Sequence, residues 1–352
     1  MRIGVPTEVK PLEGRVGLIP AACAGLVKAG HEVFIQTGAG VKSGYPDEQY
    51  EKVGVEVVAD AAAAYGRSEM VVKVKEPVAA DLEHIRADHL LFCYLHLAAL
   101  PELTRQLCDI GCTAVAFETV EDAAGRLPLL APMSDIAGRL AIQVGTHLLH
   151  QPQGGKGILI GGIPAAKRGK VVILGGGVAG GNSAVVAAGL GAEVTVFDMD
   201  RDKLERARAI GPNVTGLYPH SEDVALTVAE ADIVVGAVLV TGERAPHVIS
   251  EAMVKAMQPG SVVVDISVDQ GGCIETTRPT TYDDPTYVMH DVIHFTVTNM
   301  PGAVPRTASQ ALSAAIAPYA ERLADGQWRD HAGLVKGINV EAGKVVHPAL
   351  FK

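Results

Sequence analysis

Aromatic side chains make up only 4% of the 352 residues, with a single tryptophan. Cysteine is also scarce: Cys23, Cys93, Cys108, Cys112 and Cys273 are odd in number and contain no Cys-x-x-Cys. Cys108 and Cys112 have no further His or Cys cluster to complete a zinc set, so neither a disulfide scaffold nor a metal site is expected and the thiols read as structural. No uncharged run approaches the ~20 apolar residues of a membrane-spanning helix. The N-terminal MRIGVPTEVK lacks the apolar core of a signal peptide. A basic patch is missing too. Thirty Lys+Arg face forty Asp+Glu for a formal net charge of −10, and the densest basic stretch, Arg201 to Arg208, is interrupted by Asp202 and Glu205. An acidic surface repels phosphate backbones, so the expected partners include neither nucleic acid nor membrane, and the expected location is cytoplasmic.

What is present points to α/β architecture. Hydrophobic residues reach 48% and charged residues 20%, ordinary globular values, while 39 glycines exceed the usual ~7%. Many glycines among Ala and Val suit tight turns and close helix–sheet packing. At roughly 150 residues per domain the length predicts two domains. Strand-like runs alternate with Ala-rich stretches: Arg2–Val5, Glu32–Gln36, Met70–Val74 and Leu90–Tyr94 read as strands, and Pro20–Ala29 as a helix closed by Gly30. A helix is expected from Ser134 to Leu149, then a Gly/Pro-rich stretch over Gln151–Gly169. Alternation restarts with strands Val171–Leu174, Val194–Phe197, Ile233–Gly236 and Val262–Ile266, and a last helix is expected over Ser309–Leu323. Such alternation predicts parallel sheets with ligands in a cleft between the two domains.

Gly175, Gly177 and Gly180 form G-x-G-x-x-G directly after an apolar strand and before an Ala-rich helix. Asp198 ends the next strand, 23 positions after Gly175. The three glycines differ in what they permit. Gly175 allows the tight turn, Gly177 lets backbone approach a pyrophosphate, and Gly180 lets helix and strand pack closely. The helix N-terminus from Val178 offers N–H groups and a positive dipole end to phosphates. Asp198 can accept from a ribose 2′-hydroxyl and would repel a 2′-phosphate, which favours NAD over NADP. Lys203, one turn further, either reaches the adenosine end or is a solvated helix lysine.

Several stretches outside this fingerprint carry a family pattern: Glu13–Pro20 (EGRVGLIP), Val72–Pro77 (VKVKEP), Tyr94–Ala98 (YLHLA), Ala131–Gly138 (APMSDIAG), Asp265–Cys273 (DISVDQGGC), Arg278–Tyr282 (RPTTY) and Thr298–Pro301 (TNMP). Over essentially its whole length the chain resembles bacterial alanine dehydrogenases. The N-terminal motifs are shared with the nucleotide-binding subunit of proton-translocating transhydrogenase, whereas the DQGGC block and TNMPGAVPRT are more specific to the dehydrogenases. The resemblance implies a Rossmann NAD-binding domain, residues 134–301, inserted into a split substrate domain made of residues 1–133 and 302–352. It also implies a homohexamer and reversible conversion of L-alanine and NAD to pyruvate, ammonium and NADH. Two other readings compete: a transhydrogenase nucleotide-binding subunit, and a non-catalytic NAD-binding sensor.

Oxidative deamination requires groups that hold a carboxylate and groups that move protons. Arg15 lies in a Gly-Arg-Val loop, and its fork matches a carboxylate; the family pattern turns it from a solvated charge into a substrate ligand. Lys73 and Lys75 sit two apart on an apolar strand, and period alone does not separate them; the pattern selects Lys75 for the substrate. His96 follows a buried strand, and imidazole exchanges protons near neutrality; the resemblance makes it the group that polarises the carbonyl or imine. Asp269, past the end of strand Val262–Ile266, is expected to act as acid and base for water and ammonia, with Asp265 as a strand-end cap. The same resemblance places Met133 and Ser134 beside the nicotinamide and phosphates. It lines the cofactor site with Val238, Leu239, Ile266, Ser267, Val268, Val297, Thr298 and Met300, and assigns Arg278 and Asn299 to closing it. Arg15→Lys should raise the Michaelis constant for pyruvate several-fold in steady-state kinetics, because the planar fork is lost.

Overall fold

The computed structural model describes residues 1–238 and 245–351. Fifteen strands occur among them: β1 (Arg2–Val5), β2 (Glu32–Gln36), β3 (Glu56–Val58), β4 (Met70–Val72), β5 (Leu90–Cys93), β6 (Thr113–Ala116), β7 (Lys170–Leu174), β8 (Glu193–Phe197), β9 (Val214–Leu217), β10 (Ile233–Gly236), β11 (Val262–Asp265), β12 (Thr286–Met289), β13 (Val292–Phe295), β14 (Ile338–Glu341) and β15 (Lys344–Val345). They form two sheets in two compact units. One unit comprises Met1–Met133 with Gly302–Lys352, the other Ser134–Pro301.

The first unit's sheet has the order β3-β2-β1-β4-β5-β6-β14-β15. Strands β1 to β6 are mutually parallel, and β14 runs antiparallel to β6. The order reverses direction at β1 and β4. Because crossovers between parallel strands are right-handed, a reversal sends the connecting helices to opposite faces and parts the loops at the strands' carboxyl ends. Val71, Leu91, Cys93, Ala114 and Ala116 are fully buried and pack with Leu103 and Leu107 of the helix Pro101–Ile110. Buried on both faces, such strands read as continuous apolar runs.

The second unit repeats the scheme. Its order is β12-β13-β11-β10-β7-β8-β9, parallel from β9 through β13 with β12 antiparallel at the edge. This is the Rossmann strand order, and it reverses between β7 and β10. The cysteines of both units are free, four of the five buried. No helix among the described residues is long and apolar enough to cross a membrane.

Several elements depart from the sequence expectations. The two long helices span Ala131–Leu148 and Pro305–Ala324, beginning before Ser134 and Ser309. Each carries a proline in its first turn, where the missing N–H needs no partner. Ser309 lies within the second of these helices. Its Oγ accepts the Val16 N–H at 2.9 Å, and Ser313 Oγ accepts that of Ile19 at 3.0 Å, so this helix braces the loop that carries Arg15. Strand β4 stops at Val72 and β5 at Cys93, so Lys73 and Lys75 lie past the strand's end.

The three glycines of the fingerprint differ in the structure as expected. Gly175 adopts φ +97°, open to glycine at no steric cost. A Cβ at Gly177 would meet nothing within 4 Å, whereas one at Gly180 would collide with the Gly175 carbonyl oxygen. Gly180→Ala should therefore destabilise the second unit by about 3 kcal/mol, the upper range for overpacking, read as a lower denaturant midpoint.

Candidate functional site

In the first unit, three of the expected residues emerge at the carboxyl ends of adjacent parallel strands. Arg15 lies in the loop after β1, Lys75 just past β4, and His96 just past β5. Arg15 and Lys75 flank the reversal in strand order, where open parallel sheets bind ligands.

Arg15 is buried, and its guanidinium is gripped by Glu13 of the same loop: Nε donates to Oε1 at 2.7 Å and Nη2 to Oε2 at 2.5 Å. Nη1 donates to the Met133 Sδ at 3.2 Å. Burial pushes the guanidinium's pKa down, but the Glu13 pairing outweighs it and holds the pKa above its ordinary value. Such a planar, charge-assisted pair fixes the orientation of the fork. The Arg15 charge also acts on the Tyr94 phenol, which donates to the Leu129 carbonyl at 2.6 Å and whose ring stacks on His96 at 5.8 Å.

The two lysines separate cleanly. Lys73 is 1% exposed, with Nζ 3.1 Å from Asp81 and 3.6 Å from Glu8. Burial pulls its pKa down, yet the two carboxylates prevail and raise it. Asp81 also accepts from the Tyr65 hydroxyl at 2.9 Å. Lys75 is only partly buried, and its Nζ lies 3.6 Å from Glu76, which pairs in turn with Lys10. Burial pushes the Glu76 carboxyl up, but Lys75, Lys10 and His96 together hold its pKa below the usual range. Lys73 is thus the structural ammonium and Lys75 the one able to meet a ligand. Glu8 joins them, its Oε1 accepting from the Val74 N–H at 2.6 Å and the Lys75 N–H at 3.4 Å.

His96 has φ +50°, a left-handed conformation rare for a residue with a Cβ. Its N–H donates to Glu118 Oε1 at 2.6 Å, and the Leu95 N–H donates to the same carboxylate at 3.1 Å. Glu118 lies just past β6, the next strand in the row. It was invisible in the sequence because β6 itself was not read there.

In the second unit, Gly175 follows β7, and Gly177 is the N-cap of the helix Val178–Gly189 with no side chain capping it. The helix therefore presents unsatisfied N–H groups beside an open glycine, as a pyrophosphate requires. Val178 is exposed there. Asp198, after β8, accepts the Gly176 N–H at 2.7 Å through Oδ2 and the Asp200 N–H at 2.8 Å through Oδ1. Lys203 approaches Asp198 to 3.3 Å, so it serves that carboxylate within the unit. These groups fit a dinucleotide with a ribose 2′-hydroxyl.

Most of the remaining expected residues follow strands β10, β11 and β13. Val238 follows β10, and its carbonyl accepts from the Ser267 hydroxyl at 2.7 Å. Leu239 lies outside the described residues. Past β11, Ile266 is half-buried, Ser267 and Val268 are buried, and Asp269 is exposed on a short 3-10 turn. Asp265 is the expected strand-end cap, accepting from the N–H groups of Ser267, Cys273 and Ile274 and from the Thr277 hydroxyl. After β13, Val297 and Met300 are buried, Thr298 is exposed and Asn299 intermediate. Ser134 is half-buried in the first turn of its helix. The Arg278 guanidinium stacks 4.3 Å over the ring of Tyr287 on the edge strand.

Comparisons with known proteins decide what kind of chain this is. Residues 4–137 match the alanine dehydrogenase/PNT N-terminal domain, and residues 141–348 match the alanine dehydrogenase/PNT C-terminal domain. The chain belongs to the alanine dehydrogenase/PNT family. It is 48% identical to an alanine dehydrogenase of Geobacillus stearothermophilus, covering 99% of this chain and 95% of that protein. A solved L-alanine dehydrogenase superposes with a TM-score of 0.95 at 51% identity, over 99% of this chain and 98% of that one. A transhydrogenase of Sinorhizobium meliloti follows at a TM-score of 0.86 and 26% identity, over 99% of this chain and 100% of that one.

The buried ion pairs make a testable contrast. Lys73→Met strands two buried carboxylates and should cost about 3–5 kcal/mol of stability at neutral pH. Burial already raises the Glu8 pKa, and losing the Lys73 ammonium raises it further. A carboxyl whose folded pKa lies above its unfolded value destabilises when ionised, so the deficit should shrink as pH falls. Lys75→Met loses one 3.6 Å pair while Lys10 still holds Glu76, and should cost less, about 1 kcal/mol. Urea titrations of both variants at two pH values check the contrast.

Proposed function

We propose that this chain is an NAD-dependent L-alanine dehydrogenase. It interconverts L-alanine, NAD⁺ and water with pyruvate, ammonium, NADH and a proton. The reading is carried by the row Arg15, Lys75 and His96, which three adjacent parallel strands deliver to one edge of one sheet. Pure dinucleotide binding has no use for two cations and an imidazole in that row.

Arg15 and Lys75 are assigned to the substrate carboxylate, one as an oriented fork and the other as an adaptable point charge. His96 donates to the carbonyl oxygen of pyruvate in the reductive direction and recovers the proton in the oxidative one. Asp269 moves the protons of the attacking water and the departing ammonia. Gly175, Gly177, Val178, Gly180 and Asp198 hold NAD, with Lys203 orienting Asp198. Ser134, Val238, Ile266, Ser267, Val268, Val297, Thr298, Asn299 and Met300 are proposed to line its site, with Arg278 at the rim. When bound, NAD accepts the hydride that leaves Cα. The unit Met1–Met133 with Gly302–Lys352 is the substrate domain in this reading, and Ser134–Pro301 is the NAD domain. A cytoplasmic homohexamer is the proposed assembly, supported by the family resemblance and measurable by light scattering on the purified protein.

NADH, pyruvate and ammonium mixed with the protein should give NADH oxidation that stops when ammonium is omitted. Tight NADH binding without oxidation would instead identify a sensor. Asp269→Asn should leave the NADH dissociation constant nearly unchanged while lowering turnover at least tenfold, as loss of a general acid–base group would. An unaffected rate would remove Asp269 from that role.

A further inference from the structure

The conformation of His96 is costly by itself. A left-handed backbone at a residue bearing a Cβ costs on the order of 1–3 kcal/mol and persists only where the surroundings over-determine it. Here one side chain holds the approach to it and one backbone bond the exit. The consecutive N–H groups of Leu95 and His96 both donate to the Glu118 carboxylate, and the His96 carbonyl, past φ +50° and ψ +35°, accepts the Ala99 N–H at 3.0 Å. The bond from the His96 N–H, at 2.6 Å, is short and charge-assisted. The same Oε1 lies 3.9 Å from Nδ1 of the His96 ring.

Glu118 is itself held firmly. It sits on the 3-10 turn Phe117–Thr119 directly after β6. Phe117 is buried edge-on against Phe92 at 4.5 Å and Tyr94 at 5.0 Å, and Tyr94 is the ring that stacks on His96. On the other side, Thr119 Oγ1 accepts from the Asn339 side chain at 2.7 Å. The carboxylate is therefore presented from a fixed turn to a fixed backbone, and the imidazole has the Tyr94 ring 5.8 Å away and the carboxylate 3.9 Å from its Nδ1. Other charges near the pair are Glu76, which interacts with His96, and His347, which interacts with Glu118.

We infer that Glu118 is the positioning residue of the proton-transfer histidine. Its carboxylate anchors the His96 backbone at the entry to the left-handed turn and, lying beside Nδ1, leaves Nε2 for the substrate. It also supplies the counter-charge when the ring carries a proton, so Glu118 acts through His96 and touches neither substrate nor cofactor. The inference rests on the assignment of His96 to proton transfer.

A double-mutant cycle on the full-length protein separates the two. Glu118→Gln keeps the size and one acceptor oxygen but removes the charge. It should lower kcat for reductive amination by roughly ten- to a hundredfold, the range for a misplaced catalytic group. KM for pyruvate and the NADH dissociation constant should stay within about twofold, the signature of an interaction made only in the transition state. Glu118→Asp, which restores the charge on a shorter stem, should recover part of the loss, and it carries the test should the Gln variant not fold. In a His96→Gln background, Glu118→Gln should cost nothing further, because both act as one unit. Full turnover in His96→Gln alone would overturn the histidine's own role. Unchanged kcat in Glu118→Gln, a loss confined to KM, or an equal loss in the His96→Gln background would overturn the role of Glu118 while leaving that of His96 intact.

Discussion

Parallel strand direction is the constraint from which the rest follows. When every strand of a sheet runs the same way, all strand-to-helix loops open at one edge, and residues remote in sequence become neighbours in a row. In the first unit that row reads Arg15, Lys75, His96 and Glu118, from β1, β4, β5 and β6 in spatial order. In the second unit the same rule lines up Asp198, Gly175, Val238 and Ile266 after β8, β7, β10 and β11. Chemistry is thus distributed along sheet edges and not concentrated in contiguous motifs. In the first unit each loop contributes at least one charged or titratable group, and the sheet supplies the spacing.

Such a row of cations creates an electrostatic problem in an acidic chain with a buried edge. Isolated buried charges are strongly unfavourable, so each cation carries its own carboxylate: Glu13 for Arg15, Glu8 and Asp81 for Lys73, Glu76 for Lys75. These pairs differ in tightness, and the difference follows what each cation does. Arg15 and Lys73 are almost fully enclosed and tightly paired, which makes them rigid. Lys75 keeps a looser pair at 3.6 Å and a partly exposed side chain, the most easily exchanged of the three. Rigid and exchangeable cations side by side suit a site that must orient an anion and then release it.

Much of this could be read from the sequence where local chemistry dictates it. The glycine fingerprint and Asp198 were legible because a turn with φ near +97°, an open backbone and a tight helix–strand contact each admit little but glycine. The long buried strands were legible as apolar runs. Less legible was anything decided by partners far along the chain. Lys73 and Lys75 have the same spacing pattern, and only Glu8 and Asp81, folded back from other segments, make one structural. Glu118 went unseen because β6, Thr113–Ala116, is four short residues of small and β-branched type that resemble many loops. The early starts of both long helices were missed because Pro132 and Pro305 sit at helix beginnings, where proline fits without signalling it.

The split first unit acquires a physical meaning from the same contacts. The returning C-terminal segment does more than complete the sheet. Its helix Pro305–Ala324 fastens the Arg15 loop through Ser309 and Ser313, and Ser309 also meets the Ser43 hydroxyl at 2.8 Å. Its strand β14 pairs with β6, and Asn339 on that strand holds Thr119 beside Glu118. The two outermost loops of the functional row are therefore tied down by residues that follow the inserted unit in sequence. Contacts of this kind couple the geometry of the row to the chain's return, because backbone N–H and hydroxyl groups left unpaired there would be costly to bury. An insertion at this point leaves the row intact only if the chain comes back to the same edge, and the position of Ser309 shortly after the unit's last residue, Pro301, meets that requirement.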